Sequence, residues 1–211
     1  MPESPVDVRD ISTRLFKANA IKFGDFVVGT GATTPVYFDF RVIVSYPDLM
    51  RDLSIVIGIK INQIIKQGPR KTVICGIPYS AVPITALVSQ HTDLPMVMKR
   101  KEVKEYGTKQ LVEGVWNKGD TCILVDDVIM FGDSIIETVE ELRETGFECT
   151  DVVVVCDREQ GAIAKVAAKG IRVHALLTLT EIMEHLFDEE YITQETFDMV
   201  RKYLAANQVA R

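Results

Sequence analysis

Four valines and a cysteine in succession, Val152–Cys156, constrain this chain more than any other feature. β-branched side chains lose rotamer freedom in a helix and fit a pleated strand. Successive strand residues point to opposite faces, so an unbroken apolar run needs cover on both. Similar runs stand at Thr72–Cys75, Met96–Met98, Cys122–Val125 and Ile171–Leu177. Helical patterns fill the intervals at Pro47–Gln67, Pro83–His91, Ser134–Glu144 and Gln160–Lys169, with Gly68, Gly146 and Gly170 as stops. The alternation predicts an α/β fold, a mostly parallel sheet flanked by helices.

The ends read differently. Val8–Asn19 is a short helix candidate, followed by residues 23–41, FGDFVVGTGATTPVYFDFR, where aromatics alternate around Gly and Thr turns. Residues 1–46 are expected to form a small N-terminal hood on an α/β core of residues 47–211. Leu179–Gln208 reads as two terminal helices, the second capped near Thr193 and Thr196. No linker, repeat or low-complexity stretch divides the chain, and 1–211 is read as a single domain.

Charge and cysteine usage narrow the function. With 24 basic against 30 acidic residues the net charge is −6, the wrong sign for a general nucleic-acid binder. No apolar run reaches the roughly 18 residues of a membrane helix, and MPESPVDVRD lacks the apolar core of a signal peptide. Cys75, Cys122, Cys149 and Cys156 form no C-x-x-C pair, and with three His they give no zinc-type cluster. Cys75, Cys122 and Cys156 lie in or beside apolar runs and read as small buried hydrophobes. A reducing, cytoplasmic location is expected, with no nucleic-acid or membrane partner.

Residues 122–146, CILVDDVIMFGDSIIETVEELRETG, carry the strongest chemical signal. A buried strand delivers Asp126 and Asp127 at its end, a loop with Gly132 follows, and a helix opens near Ser134. Ligands of open α/β sheets sit at such strand ends. Free N–H groups there cradle phosphate, and paired acids accept hydrogen bonds from vicinal sugar hydroxyls. The pair serves equally as a solvated strand end with helix-capping value. Residues 99–114, KRKEVKEYGTKQLVEG, gather Lys99, Arg100, Lys101, Lys104 and Lys109 around Tyr106 without apolar periodicity. Such a run is a loop, either merely solvated or a clamp for a polyanion such as pyrophosphate. CGIPYSAVP, residues 75–83, puts Tyr79 and Ser80 between a strand and a helix, and CDREQG, residues 156–161, places Arg158 at the next strand end. Arg158 suits bidentate pairing with a carboxylate, or a plain surface role at a helix start.

Together these segments resemble the orotate phosphoribosyltransferases, most closely the eukaryotic kind that forms the N-terminal domain of UMP synthase. The resemblance rests on residues 23–41, CGIPYSAVP, residues 100–114, VDDVIMFGDS (125–134) and DREQG (157–161). It implies a type I phosphoribosyltransferase fold and the joining of orotate to 5-phosphoribosyl-1-pyrophosphate (PRPP) in pyrimidine biosynthesis. It also implies Mg²⁺ carried by PRPP rather than a metal site of the chain, and a homodimer with shared active sites. By the same resemblance Lys104, Asp126 and Asp127 are catalytic, with Lys104 in a mobile loop alongside Arg100, Lys101 and Tyr106. Tyr79 and Ser80 bind pyrophosphate, Asp126 and Asp127 hold the ribose hydroxyls, Phe38 and Arg158 contact orotate, and Tyr37 belongs to the substrate site. Val128, Ile129, Met130, Phe131, Gly132, Asp133 and Ser134 then form the 5′-phosphate loop.

That loop departs from the family's pattern of small and hydroxyl residues, T-[SA]-G-[ST]-[SA]. Met130 removes a hydroxyl, Phe131 adds bulk, and Asp133 is expected to set a negative charge at the phosphate. Gly29 replaces a lysine usual in the early segment. A weakened or inactive paralogue with a regulatory or dimerising role is therefore the second reading.

Overall fold

The computed structural model describes residues 6–27, 31, 33–65, 71–101 and 111–207. Lys104, Tyr106, Lys109, Gly29 and Gly68 lie outside the described residues.

The chain opens with α1 (Val8–Lys17), whose first turn is capped by the Asp7 carboxylate accepting from the Arg9 amide at 2.9 Å. β1 (Ile21–Val27) and β2 (Thr33–Phe38) follow as an antiparallel hairpin, irregular between Phe23 and Phe26. A 3₁₀ turn at Phe40–Ser45 leads into α2 (Pro47–Ile64), where Pro47 sits in the first turn and sacrifices no helical hydrogen bond. The rest alternates: β3 (Thr72–Gly76), α3 (Ala81–Thr92), β4 (Met96–Lys99), β5 (Val112–Glu113), β6 (Thr121–Ile129), α4 (Asp133–Thr145), β7 (Glu148–Asp157), α5 (Ala162–Ala167) and β8 (Arg172–Thr178). α6 (Leu179–Asp188) and α7 (Gln194–Asn207) close the chain.

Among the described residues the main sheet runs β5-β4-β3-β6-β7-β8, all parallel except β5. The valine run behaves as its chemistry requires. Val152 and Val154 enter the core beneath α4 and α5, with Ile135, Val139 and Val166. Val153 and Val155 enter the opposite core, with Leu53 and Ile57 of α2, Leu15 of α1 and Ile182 of α6. That second core also takes Ile21, Val36 and Phe40, so hairpin and sheet share one apolar cluster. All four cysteines are buried thiols, as the apolar runs around Cys75, Cys122 and Cys156 imply for those three.

The boundaries differ from the sequence expectation in instructive places. β6 does not stop before its acids; it runs through Asp126 and Asp127 to Ile129 because β7 keeps pairing with it as far as Asp157. Val128 and Ile129 are therefore strand rather than loop. β5 falls inside the stretch read as loop: Val112 and Glu113 pair with Lys99 and Met98, too briefly to leave a periodic pattern. α5 spans only Ala162–Ala167, starting after Gly161 at φ +86°.

Candidate active site

β3 is the first strand of the main sheet. The next, β4, pairs on one side of it and β6 on the other, so the order reverses between β3 and β6. The crevice at the carboxyl ends of these strands is where open α/β sheets hold ligands. Each chemical segment marked in the sequence and described here begins at that edge or beside it.

From β3 the chain passes Gly76 into the Pro78–Ser80 turn and α3. A Cβ on Gly76 would stand 2.6 Å from the Thr85 hydroxyl and 2.9 Å from the Ala81 carbonyl, so only glycine lets α3 approach this strand end. The Pro78–Tyr79 peptide is cis. Ser80 caps α3 without a side-chain hydrogen bond, and the first N–H groups of a helix are suited to an anion. Tyr79 is 68% exposed, and the Lys101 ammonium stands 5.2 Å from its ring centroid. They border a cavity of about 560 Å³ with Pro78, Val82, Met98, Lys99, Arg100 and Glu113. Arg100 is paired with Glu113 of β5, Nε to Oε1 at 2.7 Å. Lys99 is buried against Glu141. Of the cationic run, Lys101 is thus the described residue turned to the Tyr79 turn.

From β6 come Asp126, 5% exposed, and the half-buried Asp127. Asp126 Oδ1 accepts from the Asp127 amide at 2.9 Å, and Asp127 Oδ1 from the Val128 amide at 2.8 Å. Burial, then the adjacent Asp127 charge, pushes the Asp126 carboxyl well above the usual aspartate range. A cation or hydroxyl donors at the carboxylate would draw it back toward the ordinary range.

Met130–Ser134 turns the chain into α4. Gly132 adopts φ +77°, and a Cβ there would fall 2.5 Å from Val166 Cγ2. The departures from the expected loop all find places. Asp133 does not point its charge into the turn unopposed: its carboxylate pairs with Lys165 of α5. Phe131 is 41% exposed and so is not packed in the turn. The Met130 sulfur accepts from Arg158 Nη1 at 3.4 Å. Ser134 is exposed in the first turn of α4.

Arg158, at the end of β7, is the most unusual group here. It is 4% exposed. Its Nη2 donates to the Thr34 hydroxyl at 2.8 Å and more weakly to the Val36 carbonyl at 3.5 Å. Its guanidinium carbon is 5.7 Å from the Phe38 ring centroid, while its Nε, also buried, has no acceptor among the described residues. Burial draws its basicity down, with no carboxylate opposing the shift. A guanidinium nevertheless stays charged, so this is a buried cation short of an anion. Phe38 lies beside it, and Tyr37 does not. Adjacent strand residues face opposite ways, and the Tyr37 ring meets Phe26 at 5.4 Å while its hydroxyl accepts from Arg41 at 3.2 Å. Thr34 and Lys165 were not singled out from the sequence; neither stands in a pattern that marks it.

No group of three or more His, Cys, Asp or Glu side chains among the described residues could hold a metal ion. Two adjacent carboxylates and sugar oxygens are hard donors, the kind Mg²⁺ takes when substrate and water supply its remaining ligands. The site fits such an ion in that sense. No helix of the described residues is long and apolar enough to cross a membrane.

The arrangement has counterparts among known proteins. The phosphoribosyl transferase domain family matches residues 51–172. Uridine 5′-monophosphate synthase of Bos taurus is 38% identical over 92% of this chain, which spans 40% of that protein's length. Orotate phosphoribosyltransferase of Caenorhabditis elegans is 36% identical over 96% of this chain and 88% of its own. Among solved structures, the UMP synthase of Leishmania donovani superposes with a TM-score of 0.84 at 29% identity, covering 94% of this chain and 42% of that one.

Proposed function

We propose that this chain, which belongs to the orotate phosphoribosyltransferase family, transfers the 5-phosphoribosyl group of PRPP to orotate, releasing pyrophosphate and forming orotidine 5′-monophosphate. The observation that carries the assignment is Arg158: a buried guanidinium with an unpaired Nε, beside the Phe38 ring and one strand from Asp126 and Asp127. A planar base bearing a carboxylate supplies both the missing anion and a face for the ring.

In this reading the bond between the anomeric carbon and pyrophosphate breaks with its electron pair leaving on the pyrophosphate oxygen. A ring nitrogen of orotate forms the new bond and gives up its proton. Positive charge grows on the ribose and negative charge on the leaving group. Asp127 and Asp126 accept hydrogen bonds from the ribose hydroxyls. N–H groups at Ser80 and the start of α3, with Tyr79 and Lys101, hold the pyrophosphate, and Arg100 joins them on exchanging Glu113 for it. The turn from Met130 to Ser134, with the strand end at Val128 and Ile129 and the N-terminus of α4, holds the 5′-phosphate. Lys104, with Tyr106 in the same loop, meets the leaving group as its charge develops. Mg²⁺, when bound, would neutralise pyrophosphate charge, and Asp126 and Asp127 are the side chains that would hold it together with substrate oxygens.

The chain is read as one phosphoribosyltransferase domain, 1–211, with 1–46 as its hood, acting in the cytoplasm as a homodimer with shared sites. Purified chain incubated with orotate, PRPP and Mg²⁺ tests the function. Stoichiometric loss of orotate and release of pyrophosphate are expected; PRPP-independent loss, or none, refutes it.

A further inference from the structure

The turn carrying Arg158 is fastened on its far side to both terminal helices. The Asp157 carboxylate accepts from the Glu159 amide at 2.8 Å, which bends the chain so that Glu159 takes φ +59°. The Glu159 carboxylate then accepts from the Thr180 amide at 2.8 Å, and from its hydroxyl, at the start of α6. Gln160, 6% exposed, donates from Nε2 to the Tyr203 hydroxyl of α7 at 3.1 Å. The two residues after Arg158 are thus tied to different helices. α7 in turn packs against β2, the strand whose Thr34 and Val36 hold the guanidinium from the front.

We infer that Gln160 and Tyr203 are positioning residues for the base pocket: a strut from α7 that fixes the turn behind Arg158 and so sets where the guanidinium meets the carboxylate of the base. This rests on the assignment of orotate as substrate and extends it to a helix outside the matched residues 51–172. A guanidinium fork has little tolerance for misplacement, because both N–H···O bonds must align at once. Its own grip is incomplete, with one acceptor at 2.8 Å, a weak sulfur acceptor at 3.4 Å, the Val36 carbonyl at 3.5 Å and a buried Nε with no acceptor among the described residues. The Gln160–Tyr203 bond fixes the backbone two residues past Arg158, and the Tyr203 phenol also lies within electrostatic reach of the guanidinium. The pyrophosphate turn and the acid pair belong to β3 and β6, and among the described residues no hydrogen bond ties them to α7. The strut acts on the base and not on PRPP.

Tyr203→Phe removes one hydroxyl while leaving the ring to pack, and Gln160→Leu removes the amide at similar volume. Each variant is expected to raise the KM for orotate about three- to tenfold, the range for one lost buried hydrogen bond. The KM for PRPP should stay at the wild-type value, while the thermal midpoint falls by a few degrees in both variants. The double variant should be no worse than the poorer single one, since both break one link. Equal rises for both substrates, a lowered midpoint with no substrate bias, or additive losses would overturn the strut. A wild-type chain inactive with orotate would instead overturn the functional assignment, and the strut with it. Wild-type turnover with unchanged kinetics in Tyr203→Phe defeats the strut alone.

Discussion

Arg158 Nη1 donates to the sulfur of Met130 across 3.4 Å, joining the base side of the site to the turn expected to hold phosphate. A hydroxyl residue at position 130 would have a shorter side chain; methionine reaches the guanidinium. The residue that most departs from the family's loop is thereby part of the support for Arg158. Met130→Leu keeps the volume and removes the acceptor. The orotate KM is expected to rise about two- to fourfold, because a thioether is a weak acceptor, with the PRPP KM unchanged. A rise in the PRPP KM alone would place Met130 with the phosphate instead.

Asp133 is answered by Lys165, and the pair is largely exposed. Removing the lysine leaves a carboxylate near bound phosphate, at a cost of about 1 kcal/mol in high dielectric. Lys165→Ala should weaken PRPP binding about two- to fivefold in low salt, with the loss shrinking as salt is raised. Asp133→Ser should leave it near the wild-type value. Calorimetric titration with PRPP and Mg²⁺ reads both. A large gain in affinity from Asp133→Ser would mean that the charge does oppose the phosphate.

Asp126 links function to stability through its raised pKa. When folding raises the pKa of an acid, its contribution to stability is full below the unfolded value, about pH 4. It is lost as pH climbs through the folded value. Asp126→Asn removes that loss. Its thermal midpoint should equal the wild type's near pH 4 and exceed it by a few degrees, about 2–4 °C per kcal/mol, toward pH 8. Activity should fall at the same time, since the amide cannot accept from sugar hydroxyls as a carboxylate does. A midpoint difference that narrows with rising pH would contradict the assignment.

Gly132 is required twice, by its positive φ and by Val166 at 2.5 Å from a would-be Cβ. Gly132→Ala should destabilise by more than the roughly 1–2 kcal/mol of a left-handed residue alone. Adding Val166→Ala should recover the steric part and leave the backbone part, as urea midpoints corrected for the Val166→Ala single variant would show. No recovery would mean that the strain is all in the backbone.

Much of this was legible from the residues. The valine run demanded a sheet covered on both faces, and Val152 and Val153 do enter opposite cores. Asp126 and Asp127 were marked by following an apolar run and preceding a glycine turn. The rest was hidden for definite reasons. Val112–Glu113 pairs over two residues, too few for a period. That Asp133 faces Lys165 depends on α5 packing beside α4, a contact over 32 positions that local pattern does not carry. Tyr37 and Phe38 are equivalent aromatics in sequence, and the pleat of β2 separates them.

The central claim is that Arg158 selects a base bearing a carboxylate, and one comparison tests it most directly: kcat/KM for orotate and for uracil, with PRPP and Mg²⁺, in the wild type and in Arg158→Met. The wild type should favour orotate by at least about 10³-fold, as expected when a buried charge is left unpaired by the wrong substrate. Arg158→Met should collapse that ratio by losing orotate turnover alone. A wild type indifferent between the two bases, or an Arg158→Met variant that keeps the preference, would contradict the account.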